Sequence, residues 1–190
     1  MIIGLCGPMG SGKSTLANLL QCHALTHGKR ARILHFADPL KDALRTLFLL
    51  SEAQLHGDLK NTQDPRWGKS PRQLMQWFAT DVLREQFRDD FFVQHLLRRL
   101  PTCDDDILLV ADVRFANEQR ALKDHGATLL HLRRDDTHAD THASEHALDH
   151  LYIDAHLDNT TGTTHDMLLK AALKALPQMP RRMPTHSAGA

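Results

Sequence analysis

The amino-acid sequence predicts an α/β fold of three layers with a parallel sheet at its centre. Two short apolar runs of strand length, residues 2–6 and 107–111, have the composition of strands covered on both faces. Longer segments with helically spaced leucines, such as residues 13–25, lie between such runs. Strands that alternate with helices are joined by right-handed crossovers into a parallel sheet.

Turn and cap residues delimit the elements in chain order. Pro39 suits the first turn of one helix, and Ser70-Pro71 combines a serine cap with a proline at the start of another. The expected strands are residues 2–6, 31–36, 107–111, 128–132 and 155–157. The expected helices are residues 13–25, 39–50, 70–82, 90–100, 116–125 and 164–176. Residues 51–69 are expected to form a surface excursion, and residues 177–190 a frayed tail.

Composition indicates one globular domain in a reducing cytoplasm. The 190 residues carry 23 basic and 23 acidic side chains, so no broad basic field exists for duplex nucleic acid or an anionic membrane. Three widely spaced cysteines do not suggest a cross-linked secreted fold. No apolar run approaches the roughly 20 residues of a membrane span, and the start of the chain lacks the basic region of a signal peptide.

A phosphate-binding loop follows the first predicted strand. Residues 7–14, GPMGSGKS, match G-x-x-x-x-G-K-[ST] and open the first predicted helix. Glycines let backbone N–H groups turn toward phosphate oxygens, and the helix N-terminus adds positive potential. Lys13 would neutralise the β- and γ-phosphates, and Ser14 would ligate Mg²⁺. The expected nucleotide-binding residues are Gly7, Met9, Gly10, Ser11, Gly12, Lys13, Ser14 and Thr15. A glycine turn that merely caps a helix is the alternative.

The strand at residues 107–111 leads to a candidate metal-shell acid. Asp112 follows it directly and would hold Mg²⁺ through water, with Arg114 two positions on facing the same crevice. A helix cap is the alternative role for Asp112. Motors, switches and small kinases all use phosphate loops, and 190 residues leave little room for motor machinery.

Several segments, in order, resemble the motifs of bacteriophage-type deoxynucleoside monophosphate kinases. They are residues 36–41 (FADPLK), 70–74 (SPRQL), 80–84 (TDVLR), 112–118 (DVRFANE) and 142–145 (HASE), closing with Asn159 and Gly162. The phosphate loop is generic, whereas DVRFANE and HASE are specific. The similarity spans roughly residues 1–165.

The resemblance implies a P-loop kinase that moves the γ-phosphate of ATP, with Mg²⁺, to a deoxynucleoside 5′-monophosphate. It implies a kinase domain over residues 1–176, with an acceptor-binding region near 41–100 and a lid near 133–147. It also implies a host-cytoplasm location if the protein is phage-encoded, and it is compatible with a homodimer. Catalytic roles would fall to Lys13, Asp38, Arg84, Asp112, Arg114 and Arg133. The acceptor would meet Phe36, Asp38, Lys41, Arg72, Trp77, Arg84, Arg114, His142 and Glu145, and ATP would also meet Arg134 and Asn159.

Residue chemistry leaves alternatives open for the acceptor. A monophosphate is ionised near neutral pH and needs no general base, so arginines that offset charge suffice. Arg72, Arg84 and Arg88 could instead lie on the wet face of a helix. Asp38 could be a base for a hydroxyl acceptor such as a hydroxymethylated pyrimidine in DNA, an orienting group, or a helix cap. A nucleotide-dependent binding switch is the rival from another class.

Fourteen histidines include His138, His142, His146 and His150 at i, i+4 spacing. On a helix these four would align as a candidate zinc site, but the segment is polar and lacks a nearby cysteine. A solvated lid, or a nucleotide contact by His142 alone, are the other interpretations. Trp67 and Trp77 could stack on a base but fit packing roles better.

Overall fold

A computed structural model describes residues 1–100, 105–134 and 152–180. The chain divides into two compact units. One is formed by Met1–His35 together with the described part of Cys103–Ala190, and the other is Phe36–Thr102.

The first unit contains the predicted parallel sheet. Its strands are β1 (Ile2–Cys6), β2 (Ala31–Leu34), β3 (Ile107–Val113), β4 (Thr128–Arg133) and β5 (Ala155–Asp158). They lie in the order β2-β3-β1-β4-β5, and every adjacent pair is parallel. The α/β prediction is therefore confirmed. The strand boundaries differ from those expected by only one or two residues, the usual fraying error of sequence patterns.

Sheet order places the ends of four strands side by side. β1 lies between β3 and β4, with Cys6 in register with Val113 on one side and with His131 on the other. β4 in turn pairs with β5, where Arg133 is in register with Asp158. Because all strands are parallel, the segments that leave β1, β3, β4 and β5 emerge at one edge, where α/β sheets bind ligands.

Helices cover both faces of this sheet. The first unit has α1 (Lys13–Thr26), α6 (Ala116–Asp124) and α7 (His165–Ala175). A continuous apolar core joins α1 and α7 to one face of the sheet; it includes Ile3, Leu5, Leu16, Leu20, Leu130, Leu132, Leu168 and Ala172. Gly4 points to the other face, where a Cβ would press against Leu129 and approach Leu122 of α6. The result is the expected three-layer arrangement.

The second unit is helical. It contains α2 (Asp38–Leu47), α3 (Glu52–Leu55), a 3₁₀ turn (Asp58–Asn61), α4 (Pro71–Trp77), a π-helical segment (Phe78–Phe87) and α5 (Phe91–Arg99). Ser70 caps α4 as predicted, accepting from the Gln73 N–H in a capping box. The core of this unit includes Leu40, Leu44, Leu55, Leu74, Phe92 and Leu96.

Three sequence expectations need correction. Residues 51–69 are not merely a surface excursion, because Leu55 is fully buried and Asp64 is only 4% exposed. The predicted 70–82 helix is α-helical only as far as Trp77 and continues with π geometry from Phe78 to Phe87. The expected tail begins too early, since Met179 is 2% exposed and belongs to the core.

Within the described ranges, no helix is both long and apolar enough to cross a membrane. Cys6 and Cys22 are free thiols, the first buried and the second exposed.

Candidate functional site

The phosphate loop has a backbone course that only glycine adopts readily. Gly7, Gly10 and Gly12 all have positive φ, of 134°, 76° and 96°. A Cβ at Gly7 would lie 2.5 Å from the Leu132 carbonyl oxygen. Gly12 is the N-cap of α1 and has no side chain, so the first N–H groups of that helix are not capped by its own cap residue. The loop and the helix end together form a surface for anions.

The side chain of Lys13, near the end of the phosphate loop, reaches back to the start of the loop. Its Nζ donates to the carbonyl oxygens of Gly7 at 2.7 Å and Pro8 at 2.6 Å. The ammonium group also acts on the neighbouring Cys6 thiol. Burial raises the pKa of Cys6 to about 12, the Glu118 carboxylate adds to the rise, and the Lys13 charge opposes it. Cys6 is therefore neutral and unreactive at physiological pH.

The residues that directly follow β4 and β5 donate hydrogen bonds to the phosphate loop. Arg134 donates from a guanidinium nitrogen to the Gly10 carbonyl oxygen at 2.9 Å. Asn159 donates from Nδ2 to the Ser11 carbonyl oxygen at 2.8 Å. Ser11 is fully buried, and its hydroxyl oxygen has no hydrogen-bond partner within the described part of the chain. Thus two residues placed at the nucleotide by resemblance touch the loop itself.

The DVRFANE segment is organised by an acid that sequence reasoning left without a role. Glu118 is 2% exposed, and its carboxylate accepts from the backbone N–H groups of Arg114 at 2.8 Å and Phe115 at 3.1 Å. It thereby fixes the turn from β3 into α6. An acid three residues after the helix cap is the signal that could have identified it. Asp112 lies within β3 rather than after it, so it does not cap α6, whose N-cap is Phe115.

In the helical unit, Asp38 forms an ion pair. Its carboxylate lies 3.1 Å from a guanidinium nitrogen of Arg99. Asp38 is the first residue of α2, and the N-cap is Ala37, so the cap interpretation of Asp38 is wrong. Arg99 was missed by sequence reasoning because it is 61 residues away along the chain. Next to this pair, burial lowers the pKa of His95, and the Arg99 charge lowers it further.

Two predicted acceptor residues contact neutral polar groups. Lys41 Nζ lies 3.4 Å from Nδ1 of His56. Burial lowers the pKa of His56, and the Lys41 charge adds to this. Arg72 donates through Nε to the Asn61 side-chain oxygen at 2.7 Å. Neither of these two contacts is with a carboxylate, so neither contact neutralises the positive charge of its cation.

Arg84 belongs to the π-helical segment. Its guanidinium carbon lies 5.1 Å from the centre of the Phe92 ring, and one nitrogen donates to the Asp89 carbonyl oxygen at 3.0 Å. The side chain is only 8% exposed, so Arg84 does not lie on the wet face of the helix. Arg88 is 56% exposed and pairs with Asp90, but it follows the segment in an extended conformation and so lies outside the helix. π-Helical turns are frequent at functional sites.

Of the remaining predicted residues, some are buried, some are exposed, and some lie outside the ranges that the structure describes. Phe36 is 4% exposed and Trp77 is 40% exposed, its ring 5.9 Å from that of Phe78. Arg133 pairs with Asp158 at 2.9 Å. His142, Glu145, the four spaced histidines and most of the expected lid lie outside the described residues. Among those that are described, no group of acids, histidines and cysteines could hold a metal ion.

Comparison with known proteins identifies the family. Residues 50–168 match the model of a family described as deoxynucleotide monophosphate kinase. A protein of Acanthamoeba polyphaga mimivirus, provisionally named for that activity, is 35% identical over 161 residues, or 73% of this chain and 79% of its own length. The chain belongs to the deoxynucleotide monophosphate kinase family. The kinase is therefore a phosphotransferase that uses a nucleotide donor and acts on a small-molecule nucleotide.

Two solved structures are distantly similar to this chain. The Deinococcus radiodurans tunicamycin resistance protein is 15% identical, with a TM-score of 0.47 and coverage of 96% of this chain and 98% of its own. The APS kinase of Mycobacterium tuberculosis is 16% identical, with a TM-score of 0.43 and coverage of 93% and 96%.

Proposed function

We propose that the chain transfers the γ-phosphoryl group of ATP to deoxynucleoside 5′-monophosphates and releases the diphosphate and ADP. The observation that carries the proposal is the phosphate loop crossed by Lys13, in a chain of this kinase family. In the transfer, an acceptor phosphate oxygen bonds to the γ-phosphorus while the bond to the β–γ bridging oxygen breaks. An ionised monophosphate has no proton to lose, so the protein must position two anions and offset their charge.

The donor side is assigned to the loop and the strand ends around it. Lys13 would exchange its loop carbonyls for the β- and γ-phosphates. The other proposed contacts with ATP are Gly7, Met9, Gly10, Ser11, Gly12, Ser14, Thr15, Arg134 and Asn159. Arg114, placed by the Glu118 turn, and Arg133 are proposed to offset charge as the phosphoryl group moves.

Magnesium is proposed to bind through Ser14 and, by way of water, Asp112. Both offer oxygen ligands, which Mg²⁺ requires. The strands support the assignment: Asp112 precedes Val113, whose register partner Cys6 directly precedes the loop. When bound, the ion would neutralise charge between the transferring phosphates.

The acceptor side is assigned to the helical unit, Phe36–Thr102. Lys41, Arg72 and Arg84 are proposed to bind the monophosphate, Phe36 and Trp77 to meet the nucleoside, and His142, Glu145 and Arg114 to complete the site. Asp38 is proposed as an orienting group because Arg99 holds its carboxylate. If no monophosphate is phosphorylated, the favoured alternative is a hydroxyl acceptor with Asp38 as its general base.

The test measures ADP release with Mg·ATP and dAMP, dGMP, dCMP or dTMP, each analysed for its diphosphate. Reactions without acceptor and with DNA serve as controls. Formation of one or more diphosphates, with stimulated ADP release, supports the proposal and gives the base preference. Stimulation by DNA alone would indicate a hydroxyl acceptor, and acceptor-independent turnover would indicate a nucleotide switch.

We further propose a cytoplasmic site of action, which two free thiols in the described residues suit. Closure of a lid that begins near Arg133 would exclude water and suppress hydrolysis of ATP. Homodimerisation is a prediction of the resemblance, and sedimentation of the purified chain would test it.

A further inference from the structure

Asn159 follows β5 directly and is fixed at two points. Its backbone N–H donates to the Arg133 carbonyl oxygen at 2.8 Å, which ties it to the end of β4. Its side-chain amide donates to the Ser11 carbonyl oxygen at 2.8 Å and is partly buried. Asn159 therefore joins the sheet edge to the middle of the phosphate loop, 148 residues away in sequence.

The contact fixes the orientation of one peptide group in the loop. In a trans peptide the C=O and the following N–H point in opposite directions. With the Ser11 carbonyl directed at Asn159, the Gly12 N–H is directed away from β5. That N–H adjoins the end of α1, where the helix dipole favours an anion.

The same amide limits what may stand at Gly12. A Cβ there would lie well inside van der Waals contact with Asn159 Nδ2. The Ser11–Gly12 peptide is thus held by a hydrogen bond on its carbonyl and by close packing at the next Cα. Arg134 makes a second contact of this kind, one residue earlier, at the Gly10 carbonyl.

We propose that Asn159 is a positioning residue that holds the phosphate loop in the conformation that binds the triphosphate, and that it acts through the Ser11–Gly12 peptide. This goes beyond the nucleotide contact that the resemblance implies for Asn159. It rests on the proposed function only in that the loop binds a triphosphate. Loss of the side chain should let the Ser11–Gly12 peptide rotate, and part of the binding energy would then be used to reorder it.

The test compares the affinities of Mg·ATP and of inorganic tripolyphosphate, measured by calorimetry without an acceptor. Asn159→Ala removes the amide, and Asn159→Asp keeps the shape but places a carboxylate against the carbonyl. Both variants should bind ATP and tripolyphosphate about tenfold more weakly or worse, by equal factors for the two ligands. Thr161→Ala, in the exposed turn that follows, is the matched control and should bind both as wild type does.

Two results would overturn the inference. Unchanged affinity for both ligands would show that the loop does not depend on Asn159. Weaker binding of ATP with unchanged binding of tripolyphosphate would show that Asn159 contacts the nucleoside instead. Melting of the ligand-free variants is measured alongside, and if Asn159→Ala does not fold, the isosteric Asn159→Asp gives the answer.

Steady-state kinetics adds a readout that a purely structural role would not produce. The KM for ATP should rise in the variants, whereas the KM for the deoxynucleoside monophosphate should stay at the wild-type value. Wild-type chain that binds tripolyphosphate but forms no diphosphate would contradict the proposed function and leave this inference standing. An equal rise in both KM values would contradict the inference.

Discussion

Lys13 places a positive charge beside the phosphate loop, where the proposed triphosphate would bind. In the structure its ammonium group is satisfied by two loop carbonyls, a geometry that the sequence motif alone does not contain. Phosphate oxygens are stronger acceptors than neutral carbonyls because they are charged. The preformed loop thus holds the lysine close to the place where its charge is needed.

Lys13→Ala should abolish phosphoryl transfer and reduce ATP affinity by at least about tenfold, because a charged hydrogen bond is lost. Diphosphate formation and calorimetric titration with ATP measure both effects. Lys29→Ala removes an exposed lysine paired with Asp106 and should leave both unchanged. Near-normal transfer by the Lys13 variant would remove Lys13 from the catalytic residues.

Gly12→Ala should abolish ATP binding, because the position combines a φ of 96° with the Asn159 amide directly beside it. Gly28→Ala is a matched control: its φ is 70°, and no atom lies within 4 Å of the added Cβ. The Gly28 variant should lose about 1 kcal/mol of stability from backbone strain and keep its ATP affinity. Thermal melting and calorimetry separate the two effects, and equal ATP affinities for the two variants would refute the steric argument.

At the scale of elements, the π-helical segment Phe78–Phe87 decides the environment of Arg84. The spacing of leucines and aromatics in the sequence predicts a regular α-helix over residues 70–82, which would end before Arg84. The wider turn instead brings Arg84 over Phe92 and leaves its side chain mostly covered. A cation held against an aromatic ring and a carbonyl is oriented in advance, which favours bidentate contact with phosphate.

Arg84→Ala should raise the KM for the acceptor about tenfold or more and change the KM for ATP little. Arg88→Ala, at the exposed residue that directly follows this segment, is the control and should leave both constants unchanged. Initial rates over a range of acceptor concentrations make the measurement. If the Arg84 variant keeps both constants while remaining folded, its assignment to the acceptor pocket is wrong.

Asp64 stabilises the connection between α3 and α4. Its buried carboxylate accepts from Arg66 Nε at 2.9 Å and Gln54 Nε2 at 2.8 Å, and the Arg66 hydrogen bonds hold the pKa of Asp64 well below its usual range. A pKa depressed in the folded state adds stability above the unfolded pKa of about 4, and this is lost as the pH falls through the folded value.

Asp64→Asn should therefore lower the Tm at pH 7, and its difference from wild type should shrink as the pH falls below about 4. Asp58→Asn, an exposed change in the same connection, serves as the control. Melting by circular dichroism between pH 7 and pH 2.5 gives the comparison. A difference that stays constant across this range would contradict the role of the ion pair.

In the molecule as a whole, the chain continues to contribute to the core after α7. Met179 packs with Leu176 and the apolar residues of α1 and α7, and the Pro180 carbonyl oxygen lies 2.7 Å from Nε2 of His23. Proline and the scarcity of apolar residues made this stretch resemble a tail. The free energy gained by burying Met179 outweighs the local preference of this stretch for an unpacked tail.

Met179→Ala should destabilise the fold by about 2–3 kcal/mol, as loss of a buried methionine commonly does. Met167→Ala, which removes a methionine that is 56% exposed, should change stability by no more than about 0.5 kcal/mol. Urea unfolding of both variants measures the difference. Equal stabilities would show that Met179 is not part of the core.

Local sequence was enough to predict the alternation of strands and helices, the phosphate loop and the cap at Ser70. Each depends on residues close together in the chain, through apolar periodicity, glycine torsions or a side chain that reaches its own helix end. The order of the motifs likewise predicted the family. Contacts across the sheet edge and between helices could be found only in the folded chain. Asn159 on Ser11, Arg99 on Asp38 and Met179 in the core are pairings of distant segments, and local propensity carries no information about such contacts.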